Sequence, residues 1–257
     1  MSSFKNQSCK SYTPAPFLAG AGLLLIWQAG AMAVGIPHIF PSPTDIFIRT
    51  WELKENLFLH QLPVTLWTIC AGMALSTGIA VVLALLMDLS QVIEAMIGPV
   101  LIVSQTIPVM CIAPLFVLWF GYTQTARLTA VVLSTFFAIT LNVYDGLNRT
   151  DPNKMEWMKT AGASRGDIYR YLKIPSALPM FFSAIRMTIP WAVIDASVAE
   201  WLGATEGLGY FSKRMISRMD GPAVFAPVVI LISLALLGMA MVDMADRKIC
   251  WYRNELR

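Results

Sequence analysis

The sequence predicts an all-α, polytopic integral membrane protein with about six transmembrane helices, and three observations predict it. Hydrophobic residues make up 56% of the chain and charged ones only 14%, against about a quarter charged in an ordinary soluble domain. With 19 basic and 16 acidic residues in 257, too little polar surface exists to cover a soluble core, so lipid must cover much of the outside. Apolar stretches recur along the chain at the length a bilayer demands, and basic residues gather at alternate connections, as they do on the cytoplasmic side of membrane proteins.

The first span is expected from about Phe17 to Val34, behind Lys5 and Lys10. Ala31-Met32-Ala33 offers a competing signal-peptide reading, but an apolar run of about 18 residues exceeds the usual 7 to 15. Gly35 to about His60, with Pro37, Pro41 and Pro43, is expected to be an extracytoplasmic loop, since proline excludes continuous helix at its start. The second span, about Leu62 to Met87, carries Gly72, Ser76, Ala80 and Ala84 at four-residue spacing. Such a stripe lets another helix approach closely, and in lipid that packing drives association.

The third span, about Pro99 to Phe120, is interrupted by Pro108 and Pro114. Freed backbone groups are tolerated in a membrane only against protein or cavity water, so this helix is expected to line the interior. The fourth span covers about Thr125 to Tyr144, the fifth Ala177 to Val198 and the sixth Ala223 to Met244. Six spans leave cytoplasmic tails at 1–16 and 247–257 around a membrane domain over 17–246. Arg149, Lys154, Lys159, Arg165, Arg170 and Lys173 mark the fourth-to-fifth connection as cytoplasmic, and Arg247, Lys248, Arg253 and Arg257 do the same for the end. Lys213, Arg214 and Arg218 dissent, because their connection must lie outside.

Some classes drop out. No basic cluster interleaved with aromatics points to nucleic acid. Cys9, Cys70, Cys111 and Cys250 are scattered and His38 and His60 are the only histidines, so no metal site or redox pair is expected.

Between Asp151 and Pro175 the pattern predicts two short helices joined by a tight turn. Asp151 caps the first, with Pro152 at its first position. Gly162 stops it, Ser164 and Asp167 form a capping box for the second, and Pro175 is expected to end it. This elbow resembles the cytoplasmic loop of permeases in binding-protein-dependent ATP-binding-cassette (ABC) importers. There a Glu-Ala-Ala triplet precedes a glycine by three intervening residues, and nine more lead to aliphatic-x-aliphatic-Pro. Glu156, Gly162 and Leu172-Lys173-Ile174-Pro175 keep that spacing, and Ala161-Gly162-Ala163-Ser164 is similar to the central turn. Trp157 and Met158 depart from the two alanines.

The resemblance runs from about Leu62 to Asp246 and looks closest to the nitrate, sulfonate and taurine branch. Ile107-Pro108, Ala113-Pro114-Leu115, Leu118-Trp119-Phe120-Gly121, Asp145-Gly146-Leu147, and Ala199-Glu200-Trp201-Leu202-Gly203-Ala204 with Gly207-Leu208-Gly209-Tyr210 support it. Within the branch, the Glu-Trp-Leu-Gly-Ala stretch and the Ala-Pro-Leu-Phe stretch look most similar to permeases for thiamine pyrimidine precursors.

The resemblance implies a type I importer permease whose elbow, with Glu156, Ala161, Gly162, Ala163, Ser164, Asp167, Leu172 and Pro175, couples to a separate ATPase. It implies two ATPase subunits, a second permease copy as a homodimer, and an extracytoplasmic binding protein. The chain has no Gly-x-x-x-x-Gly-Lys phosphate loop. No catalysis or cofactor is therefore expected here, ATP and Mg being bound by the partner ATPase.

Intramembrane polar residues are functional candidates by default. Arg186, ~14 Å into the fifth span, with Asp195, Glu200, Asn142, Pro108 and Trp119, are candidates for the substrate pathway. Pairing with a neighbouring helix is the bland alternative for Arg186, and interhelical bonding for Asn142. Gly207, Gly209, Lys213, Arg214 and Arg218 are candidates for an outer gate or docking surface, on a helix with Leu208, Phe211, Met215 and Met219 along its apolar face. A self-contained secondary transporter or channel is the rival reading, and an intramembrane enzyme a weaker one, lacking a Gly-x-Gly-Asp motif.

Overall fold

A computed structural model describes residues 15–250. The tail over 1–16 therefore lies almost wholly outside the described residues, as do Lys5, Cys9, Lys10, Arg253 and Arg257. The elements are α1 (Ala15–Val34), α2 (Pro43–Glu52), α3 (Leu62–Leu89), α4 (Gln91–Ser104), α5 (Val109–Phe120), α6 (Gln124–Asn148), α7 (Pro152–Thr160), α8 (Arg165–Ile168), α9 (Ile174–Gly203), α10 (Leu208–Ile216) and α11 (Gly221–Ile249). Among the described residues four helices are long and apolar enough to cross a bilayer, and the α4–α5 pair, bent by 100° at its break, has the length and composition of a broken span or a re-entrant loop. Helix α1, at 20 residues, rises about 30 Å, the thickness of a hydrocarbon core.

The small-residue stripe does what its spacing predicts. Gly72, Ser76, Ala80 and Ala84 are buried along α3 against the complementary ridge Val131, Thr135, Ile139, Val143 and Leu147 of α6. The Ser76 and Thr135 hydroxyls lie 2.7 Å apart, 59 residues apart in sequence. Gly72 faces Val131 at the same offset, so the two helices run parallel. Helix α9 packs antiparallel to α6, with Gly146 against Ala177 at one end and Ala199 clustered with Ala126 and Ala130 at the other. A Cβ on Gly72 would sit 2.6 and 2.8 Å from two atoms of Val131. Gly72→Ala is expected to cost about 1–3 kcal/mol, read as a lower thermal midpoint in detergent, and Val131→Ala in the same chain should restore part of it.

Prolines read as breaks behave differently in the structure. Only Pro108 breaks its span, while Pro99 and Pro114 lie inside α4 and α5, and the third span begins at Gln91. Pro175 does not stop the elbow's second helix either. A wide π-helical turn at Tyr169–Lys173 absorbs it, giving one continuous helix from Arg165 to Gly203. A second such turn, Asn56–Gln61, precedes Pro63. A ring that cannot continue regular i→i−4 bonding is accommodated by widening the preceding turn.

The expected outer loop contains α2. Ser42 and Asp45 form a reciprocal capping box and Pro43 sits in the first turn, where its missing N–H goes unused. Arg49 bonds Asp220 at 2.6 Å, tying α2 to the residue that caps α11. Its hydrogen bonds to Asp220 and Glu52 raise the guanidinium pKa above its ordinary value, against partial desolvation.

Candidate translocation pathway and its two ends

One end of the bundle carries the elbow. Asp151 accepts from the Asn153 N–H at 2.9 Å, Gly162 turns at φ +82, and Ser164 and Asp167 complete their capping box. A side chain at Gly162 would meet nothing within 4 Å, so backbone conformation alone favours glycine there. Helix α7 buries no residue, and Glu156 and Trp157 are exposed, Trp157 at 73%. The elbow is nonetheless anchored. Lys173 donates to both carboxylate oxygens of Asp88 at 2.7 Å, and the Tyr169 hydroxyl donates to the same carboxylate. Asp88, at the end of α3, has a side chain only 2% exposed.

The opposite end holds a latch. Helix α10 begins with N–H groups that its own turns cannot satisfy, and side chains from two other helices meet them. Gly207 N–H donates to Gln61 at 2.8 Å, Leu208 N–H to Thr65 at 2.9 Å, and Gly209 N–H to Glu200 at 2.8 Å. Thr65 in turn donates to Glu200 at 3.1 Å, and Glu200 is wholly buried. Gly207 takes φ +117, and a Cβ there would lie 2.3 Å from the Glu200 carboxyl carbon. Arg127 is the cation that interacts electrostatically with Glu200. Leu208, Phe211 and Met215 are buried as the helical face predicts, but α10 ends at Ile216 and Met219 is exposed in a left-handed conformation. Lys213 donates to the Trp201 carbonyl at 2.8 Å, Arg214 lies over the Tyr210 and Phe211 rings, and Arg218 is exposed.

Between the ends, the break at Pro108 opens onto a cavity of about 320 Å³ lined by residues of α4, α5, α6 and α9, including Gln105, Pro108, Ser134, Phe137, Trp191 and Asp195. The pathway candidates thus separate. Pro108 and Asp195 meet at the cavity. Glu200 belongs to the latch, and Arg186 pairs with Asp243 of α11 at 3.2 Å. Asn142 donates to the Ala138 carbonyl of its own helix at 2.8 Å, rather than across helices. Trp119 is 65% exposed, with its ring near Phe116.

Residues 54–250 match the family of binding-protein-dependent transport system inner membrane components. The chain belongs to that family. It is the permease subunit of an ABC importer, a transport component of the membrane. This permease is 45% identical over 233 residues to the formylaminopyrimidine transport permease ThiX of Halalkalibacterium halodurans, covering 91% of this chain and 93% of that one. It is 27% identical to the putative aliphatic sulfonates transport permease SsuC of Bacillus subtilis, covering 92% and 87%. Its fold is that of the methionine ABC transporter MetNI in inward-facing form, with a TM-score of 0.59 at 18% identity, covering 72% of this chain and 94% of that one.

Sequence reasoning missed Asp88, Tyr169, Gln61 and Thr65. Each left a signal. Asp88 is a lone acid closing an apolar span, Tyr169 and Lys173 stand four apart on one helical face, and so do Gln61 and Thr65.

Proposed function

We propose that this permease imports a small solute delivered by an extracytoplasmic binding protein, driven by two separate ATPase subunits that dock on the elbow, with a second permease copy completing the pathway. The observation that carries the reading is the unbroken helix from Arg165 to Gly203, 39 residues long. Its elbow end meets the Asp88 anchor, and its last third brings Asp195 to the cavity and Glu200 into the latch. A push on the elbow is carried by one rigid element to both the cavity wall and the opposite end, as alternating access requires.

The elbow face, together with Arg247 and Lys248 at the end of α11, gathers the larger share of the basic residues, which supports a cytoplasmic side for the elbow and both termini. ATP and Mg belong to the partner ATPase. The substrate class is a thiamine pyrimidine precursor, a sulfonate such as taurine, or a nitrate-like anion, and the 45% identical relative favours the first.

Affinity purification of the tagged permease from its native membrane tests the reading. A copurifying ATPase accelerated by one loaded binding protein is expected. Recovery of the chain alone, with robust transport after reconstitution, would overturn it in favour of a self-contained transporter.

A further inference from the structure

The cavity at the Pro108 break has a chemical character that divides the substrate classes. Among the described residues, Asp195 is the one ionisable group lining it, with no lysine, arginine or histidine on its walls. The C-terminal end of α4 and the N-terminal end of α5 both reach it through Gln105 and Val109. Their dipole ends carry opposite partial charges and oppose one another, so the Asp195 carboxylate sets the sign of the field. The Ser134 hydroxyl is within hydrogen-bonding reach of that carboxylate, and Trp191 and Phe137 supply flat apolar walls. At about 320 Å³, the space lies at the small end of ligand pockets and suits a single substituted ring.

We infer that Asp195 is a specificity-determining residue that accepts hydrogen bonds from the ring or exocyclic N–H groups of a neutral or cationic amino-heterocycle stacked against Trp191, and that it rejects anions. A sulfonate or nitrate in this cavity would bring its negative oxygens against the Asp195 carboxyl oxygens with no cation among the described lining residues to offset them, an unfavourable pairing in a low-dielectric site. An aminopyrimidine presents donors on an edge and a π-face, matching acceptor and aromatic walls together. The inference rests on the importer reading and names its substrate chemistry.

Trp191, at 61% exposure, is free of the helix packing that holds the bundle, so it can be altered with little structural consequence. The three hydroxyls of the lining bond within their own helices, Ser104 donating to the Val100 carbonyl at 2.7 Å. Ser134 donates to the Val131 carbonyl at 2.9 Å and Thr188 to the Ala184 carbonyl at 3.0 Å. Ser134 also reaches the Asp195 carboxyl group, so that group and the Gln105 amide are the acceptors the cavity offers a ligand.

The test uses the complex of permease, ATPase and binding protein reconstituted in liposomes, with formylaminopyrimidine and an aliphatic sulfonate as the two probes. Wild type should take up the pyrimidine and not the sulfonate. Asp195→Asn should lower kcat/KM for pyrimidine uptake on the order of 10- to 100-fold, the value of a lost hydrogen bond to a charged acceptor. ATPase stimulation by the loaded binding protein should persist in that variant, because the elbow and latch are untouched. Asp195→Glu should recover part of the uptake, and Trp191→Ala should raise KM independently. Unchanged pyrimidine uptake in Asp195→Asn, or wild-type preference for the sulfonate, overturns the specificity role while leaving the importer reading intact. Loss of ATPase stimulation and thermal stability together in Asp195→Asn, with Trp191→Ala unaffected, overturns it as well by making Asp195 structural. Uptake by wild type without the ATPase defeats the importer reading instead.

Discussion

Gly209→Ala is expected to dismantle the latch and remove most of the folded permease from the membrane. A Cβ at this position would lie 2.2 Å from the Ser197 carbonyl oxygen, 2.9 Å from its carbonyl carbon and 3.0 Å from its Cα. All three atoms are backbone of α9, so no rotamer change relieves the clash and α10 must move away. Moving it breaks the Gly209 bond to Glu200 and strains the neighbouring bonds from Gly207 and Leu208. It also uncovers Leu208 and Phe211, which are 0% and 1% exposed. Glu200 would be left buried with Thr65 as its remaining donor, and losing a hydrogen bond to a buried carboxyl group is costly. About 4 kcal/mol or more is expected, beyond the usual range for one substitution. Size-exclusion profiles and thermal melts of detergent-solubilised protein measure it. Gly78→Ala serves as the control, since a Cβ there meets nothing within 4 Å and α3 should tolerate it or gain from it.

The latch also shows which parts of the molecule could be read before folding. Spans are legible because lipid demands long apolar runs. The α3 stripe is legible because close packing in lipid demands small residues at four-residue spacing, and Gly72 to Ala84 supply them against α6. The elbow's caps are legible because Asp151, Ser164 and Asp167 act within a few residues of themselves. Long-range partners are a different matter. Glu200 and Asp195 look alike in sequence, two acids in one apolar helix. Only the fold shows that one is consumed by the N-terminus of α10 and the other faces a cavity. Proline was the misleading signal. Pro43 begins α2 behind a complete capping box, Pro114 sits within α5, and Pro175 is carried through a wide turn. Each obeys the same rule, that proline excludes one backbone bond, and the chain around it decides whether a helix ends, starts or widens there.

Asp88→Ala is expected to uncouple the elbow from the membrane helices. The carboxylate holds Lys173 through both oxygens at 2.7 Å and also accepts from Tyr169, so a single side chain of α3 fixes two positions on the wide turn between α8 and α9. That turn is the weakest part of the lever. Its backbone is under-wound, and without the anchor a push on α7 would be absorbed by bending at Tyr169–Lys173 rather than carried to Asp195 and Glu200. Uptake by the reconstituted complex should fall about tenfold or more, the equivalent of roughly 1.4 kcal/mol of lost coupling, while ATP hydrolysis continues. Stability should fall too, by about 1–3 kcal/mol, because the Lys173 side chain is only 15% exposed and loses its counter-charge. The paired variant Asp88→Leu with Lys173→Met separates the two effects. Replacing both charges with apolar groups removes the unpaired-charge penalty and should restore the thermal midpoint. It leaves Tyr169 without its acceptor and α3 without a directional bond to the turn, so transport should stay low. Recovery of transport along with stability would mean that packing alone transmits the motion and that the anchor serves only to hold the elbow in place.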